Sequence, residues 1–130
     1  MHRITLSLVL RTDAVANLVG GLALAGAAPW LAPYAGLDGA GPVLALTGLL
    51  VVNGVANVLV ERRPTRGGVT GLVVVDLVFA GVVAAVALLD PTGAEPAIRW
   101  SLAVLADLSA VVGATKVWTG RASNLLPAGS

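Results

Sequence analysis

Long apolar stretches alternate with short polar ones along the chain. Apolar side chains dominate residues 4–28, 43–60, 69–89 and 97–118, each 18 to 25 residues long. Glycine and proline gather between these stretches, and the second connector, residues 61–68, carries three arginines. A helix needs about 20 residues to cross the hydrocarbon core, and in lipid it must satisfy its own backbone hydrogen bonds. The pattern therefore predicts an all-α fold, a bundle of four transmembrane helices.

Composition supports a membrane environment. Of the 130 residues, 57% are hydrophobic and 12% are charged, whereas soluble domains are roughly 45–50% apolar and about 25% charged. A soluble domain this small could not bury so much apolar surface. The net charge of +1 provides no basic field for nucleic acid. These numbers indicate a single membrane domain, residues 1–130, whose partner is the lipid bilayer.

Cysteine is absent and the chain has one histidine, His2. Thiolate chemistry, iron–sulfur clusters and zinc–thiolate sites are therefore excluded. We expect no metal and no cofactor, so any chemistry must come from other polar side chains.

Basic residues lie mostly on one side of the predicted four-pass topology. Six of the eight lysines and arginines are on that side: Arg3, Arg62, Arg63, Arg66, Lys116 and Arg121. The positive-inside rule then places both termini in the cytoplasm. Ala25-Gly26-Ala27 resembles a signal-peptide cleavage site, but Arg11 and Asp13 interrupt the apolar run before it. We therefore expect the first span to be retained.

Polar and charged residues inside the spans carry the functional information. They are Arg11, Asp13, Asn17, Asn53, Asn57, Asp76 and Asp107. Each central Asp or Arg opposes membrane insertion by roughly 2.5–3.5 kcal/mol. At a rise of about 1.5 Å per residue, most of them lie ~10–16 Å from the cytoplasmic end of their span. All four spans therefore place polar groups in one slab near the midplane, and we expect these groups to face the bundle interior.

Helical spacing groups some of these residues on common faces. Asp13 and Asn17 are four residues apart, as are Asn53 and Asn57, so each pair shares a face. Trp100, Asp107 and Trp118 also share a face, because intervals of seven and eleven residues nearly complete whole turns.

Arg11 and Asp13, two residues apart, point in different directions. Arg11 must therefore pair with a residue on another helix or extend to the headgroups, and Asp76 is the partner at the same depth. That pairing would leave Asp13 or Asp107 without a counter-charge. A carboxyl unpaired in a medium of low dielectric favours its neutral form, which can serve as a general acid.

One hypothesis is acid–base catalysis on a lipophilic small molecule: epoxide opening, cyclisation or isomerisation. Asp107, between Trp100 and Trp118, would protonate the substrate, and the tryptophan rings would stabilise a developing cation. The remaining acids, Asp13 and Asp76, would act as base or position water. Asn17, Asn53 and Asn57 would bind the substrate.

The polar set resembles that of limonene-epoxide-hydrolase-like enzymes and their polyether-cyclising relatives, in which an Arg-x-Asp pair works with a second Asp and an Asn. Arg11-Thr12-Asp13 has this local form. The resemblance implies catalytic roles for Arg11, Asp13 and a further Asp, without a cofactor. It departs from the family in kind, because those enzymes are soluble and carry the pair on a strand.

Two further hypotheses stay open. The chain could be a subunit of a proton-coupled transporter of small molecules; four helices are few for a pore, so a homodimer would then be required. It could instead be a structural or accessory membrane protein, in which the polar groups fix helix packing and the tryptophans anchor the helices at the interfaces.

The motif Arg11-x-Asp13-Ala14-x-x-Asn17-x-x-x-Gly21, followed by three more spans and a basic middle turn, is similar to small four-helix bacterial membrane proteins of broadly DoxX-like type. This resemblance implies a multi-pass protein of the bacterial cytoplasmic (inner) membrane. It implies no specific activity. The bias toward Ala, Val, Gly and Leu is also typical of a bacterial genome rich in G and C.

Overall fold

A computed structural model describes residues 5–125, and these residues form four helices joined by short connectors. The helices are α1 (Leu6–Leu31), α2 (Gly41–Arg62), α3 (Arg66–Leu89) and α4 (Pro96–Ala122). Each is long and apolar enough to cross a membrane, which confirms the predicted all-α bundle of a multi-pass membrane protein. His2 and Arg3 lie outside the described residues.

Helix ends carry the expected stop and start signals. The hydroxyls of Thr5 and Thr65 accept hydrogen bonds from the backbone N–H groups of the first turns of α1 and α3. Pro42 and Pro96 occupy the first turns of α2 and α4, where no intrahelical N–H is needed. Asp90 ends α3 in the left-handed conformation, with φ of 47°. α4 continues to Ala122, one turn beyond the predicted span, and this extension matters for the site.

The four helices form two tight hairpins, α1 with α2 and α3 with α4, which touch each other less extensively. Glycines permit the close packing within each hairpin. A Cβ atom at Gly54 would lie 2.8 Å from Cγ of Leu18, so α2 could not approach α1 as closely with any larger residue. At Gly113 a Cβ would lie 3.3 Å from Cβ of Asp76, so this glycine brings α4 against α3 beside a buried acid.

The hairpins are joined at both ends of the bundle. At the end that carries the termini, Leu6 and Leu10 of α1 form a buried cluster with Val69 and Leu72 of α3. At the opposite end, the two connectors are hydrogen-bonded to each other, including Glu95 N–H to the carbonyl of Tyr34 at 2.8 Å. The middle of the interface between the hairpins is thus enclosed, and the site lies there.

Large aliphatic side chains cover the outside of the bundle. Leu22, Val52, Val78 and Leu88, one on each of α1 and α2 and two on α3, are all more than half exposed. In water this surface would oppose folding, but in hydrocarbon it is favourable. Polar side chains on the helices often bond to their own backbone: Thr47, Ser101, Thr115 and Thr119 each donate to the carbonyl four residues earlier.

Candidate functional site: a buried Asp–Lys–Asp centre

A single lysine forms the centre of the site. Lys116 on α4 is completely buried, and its Nζ donates to Oδ2 of Asp13 on α1 and to Oδ2 of Asp76 on α3, each at 2.6 Å. The carboxyl side chains are themselves 11% and 6% exposed. Gly113, one turn before Lys116, allows α4 to approach α3 closely enough for this contact. The arrangement is a charge triad shielded from solvent.

Two asparagines complete the surroundings of the acids. Nδ2 of Asn17 donates to Oδ1 of Asp13 at 2.8 Å and to the Asp13 carbonyl at 2.7 Å. Asn53 on α2 lies within interaction distance of the Asp76 carboxyl. All four helices therefore contribute a polar group to one centre, although α4 contributes Lys116 and not the predicted Asp107.

The centre contains more negative than positive groups. With all three groups ionised, one cation faces two anions, and the net charge is −1. Burying ions costs several kcal/mol each, which is recovered only when charges are paired and hydrogen-bonded. The second carboxylate is thus bonded to Lys116 but not balanced in charge, and one additional proton would neutralise the centre.

The predicted partner of Arg11 is wrong. Nε of Arg11 donates to Oε1 of Glu61 at 2.8 Å, and the Arg11 side chain is 72% exposed. Ser7 also donates to the same Glu61 oxygen. Residues two apart on a helix point in different directions. Asp13 points into the bundle, so Arg11 points outward, along α2 and not toward Asp76.

The predicted inward direction of Asp107 is also wrong. Trp100, Asp107 and Trp118 do share a face, but all three are exposed, the tryptophans by 74% and 63%. Asp107 and Lys116 are nine residues apart, two and a half helical turns, so they occupy opposite faces of α4. Lys116 takes the inward face, and Asp107 therefore lies outside the bundle.

Asn57 is buried, and within the described residues it is not hydrogen-bonded to Lys116, Asp13 or Asp76. Its Nδ2 donates to the Asn53 carbonyl on its own helix at 2.7 Å, and its Oδ1 has no hydrogen-bond partner within the described chain. A substrate-binding contact by Asn57 therefore stays a prediction.

Lys116 lies two residues before the predicted end of its span, a position typical of a cytoplasmic charge, but the structure places it in the interior of the bundle. The sequence does contain a signal for the buried face of α4, which is a stripe of small residues. Ala106, Gly113 and Gly120 are spaced by seven and are all buried. Lys116 lies on this stripe, which is the face that packs closely in membranes.

Two surface pockets lie away from the centre. One lies between the end of α3 and the start of α4, beside Arg99 and Trp100, and the other lies on the outside of α1, beside Arg11 and Val15. Neither is lined by Lys116, Asp13 or Asp76. Among residues 5–125, no group of three or more acidic, histidine or cysteine side chains is arranged to hold a metal ion.

Comparison with known proteins does not indicate a function for this chain. No family model, curated protein or solved structure matches this chain. The geometry of the centre is therefore the basis for assigning a function.

Proposed function

We propose that this chain is a subunit of a proton-coupled transporter in the bacterial cytoplasmic membrane, with Asp13, Lys116 and Asp76 as its proton-binding centre. The observation that carries the proposal is the complete burial of Lys116 between two carboxylates at 2.6 Å. Ionisable groups at membrane depth commonly form proton relays and ion pathways. The resemblance to small bacterial membrane proteins supports the location, and the arginines at the end that carries the termini support a cytoplasmic orientation of both termini.

The charge count explains why the centre would bind a proton. Three ionised groups leave one uncompensated negative charge in a region of low dielectric. Taking up a proton removes this charge, while the remaining carboxylate and Lys116 stay paired. Losing the proton restores the triad, so the two states differ by one charge.

The position of the centre suggests how proton binding would be coupled to movement of the two hairpins. Within residues 5–125, Lys116–Asp13 is the ion pair that joins the two hairpins, whereas Lys116–Asp76 lies inside the second hairpin. A proton on Asp13 converts a charged contact between hairpins into a weaker one. Because the hairpins touch less extensively than the helices within each of them, this contact is suited to control their separation.

The same geometry supports transport better than catalysis. The general acid of the catalytic hypothesis, Asp107, points out of the bundle, and Arg11 is paired with Glu61. Both inward carboxylates are already bonded to Lys116. A lipophilic substrate would have to break these bonds before it could react.

The proposal is tested by detecting the proton and its movement. Purified protein in lipid vesicles is titrated while infrared difference spectra record the carbonyl band of protonated carboxylic acids. We expect a band that disappears at alkaline pH in the wild-type protein and is reduced in Asp13→Asn or Asp76→Asn. In parallel, an imposed pH gradient should drive ethidium movement across vesicles of the wild-type protein, and Asp13→Asn should abolish it.

Asp38→Asn, in the exposed connector after α1, is the matched control and should behave as wild type in both assays. Ethidium movement that ignores the gradient, or a carboxylic acid band unaffected by changes at Asp13 and Asp76, would contradict the proposal. A titrating band without any gradient-driven movement would instead assign the centre a structural role.

A further inference from the structure

A buried apolar cluster lies between the Asp–Lys–Asp centre and the end of the bundle that carries the termini. Each member is at most 5% exposed, and the members are Leu6, Leu10, Val69 and Leu72. Every Cα of α1 is more than 8 Å from every Cα of α3, whereas each of these helices packs against both α2 and α4. α1 and α3 therefore occupy opposite corners of the bundle, and the side chains that connect them lie across its axis.

The cluster continues the inward faces that carry the two acids. On α1, its two leucines lie three and seven residues before Asp13, and on α3 its other members lie four and seven residues before Asp76. These intervals keep residues on one face of a helix. On the far side of the acids, four residues later in each helix, stand Asn17 and Ala80, a polar and a short side chain. Large aliphatic side chains thus fill the axis on the side of the termini.

Asn57 provides an independent observation beside the cluster. Its neighbours on α2, Ala56 and Val60, pack against the cluster, and Asn57 itself is completely buried. Its Oδ1 has no hydrogen-bond partner within residues 5–125. A buried acceptor without a donor is unfavourable, and hydrocarbon supplies no water to satisfy it. A water molecule that reached this oxygen would remove the cost.

We propose that the apolar cluster is a hydrophobic gate, which controls the entry of water to the Asp–Lys–Asp centre from the side of the termini. The Asn57 oxygen binds the first water that passes the gate. Aliphatic constrictions in membrane proteins close a path by excluding water. The inference rests on the proposed function, because a centre that exchanges protons needs a water path to a membrane face.

The gate is connected to the arrangement of the two hairpins. α1 belongs to one hairpin and α3 to the other, so the cluster joins the hairpins, as the Lys116–Asp13 pair does. Because the backbones of α1 and α3 are far apart, side chains alone make this contact. Separation of the hairpins would break the ion pair and open the gate together, and water on Asn57 would stabilise the open arrangement.

Labelling of a buried cysteine tests the gate without a transport measurement, since the chain contains no cysteine. Val73→Cys is the reporter, because Val73 is 8% exposed and lies three residues before Asp76. A charged, membrane-impermeant methanethiosulfonate reagent is added to vesicles on the side of the termini. We expect slow labelling of Val73→Cys alone. Adding Leu10→Ala should accelerate labelling about fivefold or more, because truncation of a buried leucine leaves a cavity. Val69→Ala, a smaller truncation, should act in the same direction.

Two matched controls separate opening of the gate from loosening of the whole bundle. Leu22→Ala is the same truncation on the same helix, but Leu22 is 70% exposed, so labelling of Val73→Cys should not change. Val43→Cys is a second buried reporter, near the other end of the bundle at the start of α2. Its labelling should not respond to Leu10→Ala. Circular dichroism verifies that each variant keeps its helical content.

Asn57→Leu tests the water site. Added to the Leu10→Ala variant, it removes the acceptor at nearly constant side-chain volume. We expect labelling of Val73→Cys to slow about threefold, the factor that corresponds to one average hydrogen bond in a membrane.

Rapid labelling of Val73→Cys in the otherwise unchanged chain would overturn the gate. So would a Leu10→Ala effect that is absent, or that is equally large at Val43→Cys. Unchanged labelling after Asn57→Leu would overturn the water site. Gradient-driven ethidium movement in a protein that fails these tests would reject the gate and leave the proposed function in place. Gated labelling without ethidium movement would support the gate and reject transport.

Discussion

Removing the charge of Lys116 is the most informative single perturbation of the buried centre. Lys116→Met keeps the length and apolar stem of the side chain but leaves Asp13 and Asp76 without a cation. Both Oδ2 atoms lie 2.6 Å from the same nitrogen, so they are at most about 5 Å apart. At an effective dielectric constant of about 20, two ionised carboxylates at ~5 Å repel each other by about 3 kcal/mol.

A second estimate agrees with this magnitude. Breaking a buried ion pair by removal of one partner costs about 3–5 kcal/mol. The near-complete burial of all three side chains means that solvent provides little screening. We therefore expect Lys116→Met to lower the free energy of unfolding by about 3–5 kcal/mol at neutral pH.

The penalty comes from carboxylate charges that no cation balances, so removing those charges should reverse it. The variant in which Asp13→Asn and Asp76→Asn accompany Lys116→Met contains no buried charge and should regain most of the stability, since uncharged replacements of whole buried ion clusters are often neutral or stabilising.

The measurement is unfolding in mixed micelles, followed by loss of helical circular dichroism as the denaturing detergent fraction rises. Arg121→Met, an exposed cation on the same helix, is the matched control and should change stability by less than about 1 kcal/mol. A Lys116→Met variant within about 1 kcal/mol of the wild type at neutral pH, or an unchanged deficit after both acids are neutralised, would refute the reasoning.

Two further predictions concern the helix contacts around the centre. Gly54→Ala should destabilise the α1–α2 hairpin by about 1–3 kcal/mol, because its Cβ would lie 2.8 Å from Cγ of Leu18; Gly20→Ala, with nothing within 4 Å, should be neutral or slightly stabilising in the same unfolding assay. Arg11→Met should cost no more than about 1 kcal/mol, because the Arg11 side chain is 72% exposed and solvent screens its charge; a loss as large as that of Lys116→Met would contradict this assignment.

Much of the architecture could be predicted from local pattern. The four spans follow from hydropathy and length, because transfer of a segment into lipid depends on its own residues, summed along the segment. The connectors follow from glycine and proline. The depth of Asp13 and Asp76 also follows, since the helical rise converts sequence position into distance from the span end. Their gathering with Asn17 and Asn53 at one level was therefore predictable.

Rotation of each helix about its axis was decided only by tertiary packing. Apolar residues such as Val104 and Val111 also lie on the exposed face of α4, so hydropathy does not say whether Asp107 or Lys116 faces inward. The choice depends on Gly113, whose lack of a side chain lets α4 pack against Asp76, and on the additional turn that keeps Lys116 inside the helix. A long cation near a span end ordinarily extends to the headgroups. Here two carboxylates from other helices hold it in the interior, and that contact exists only once the helices have assembled.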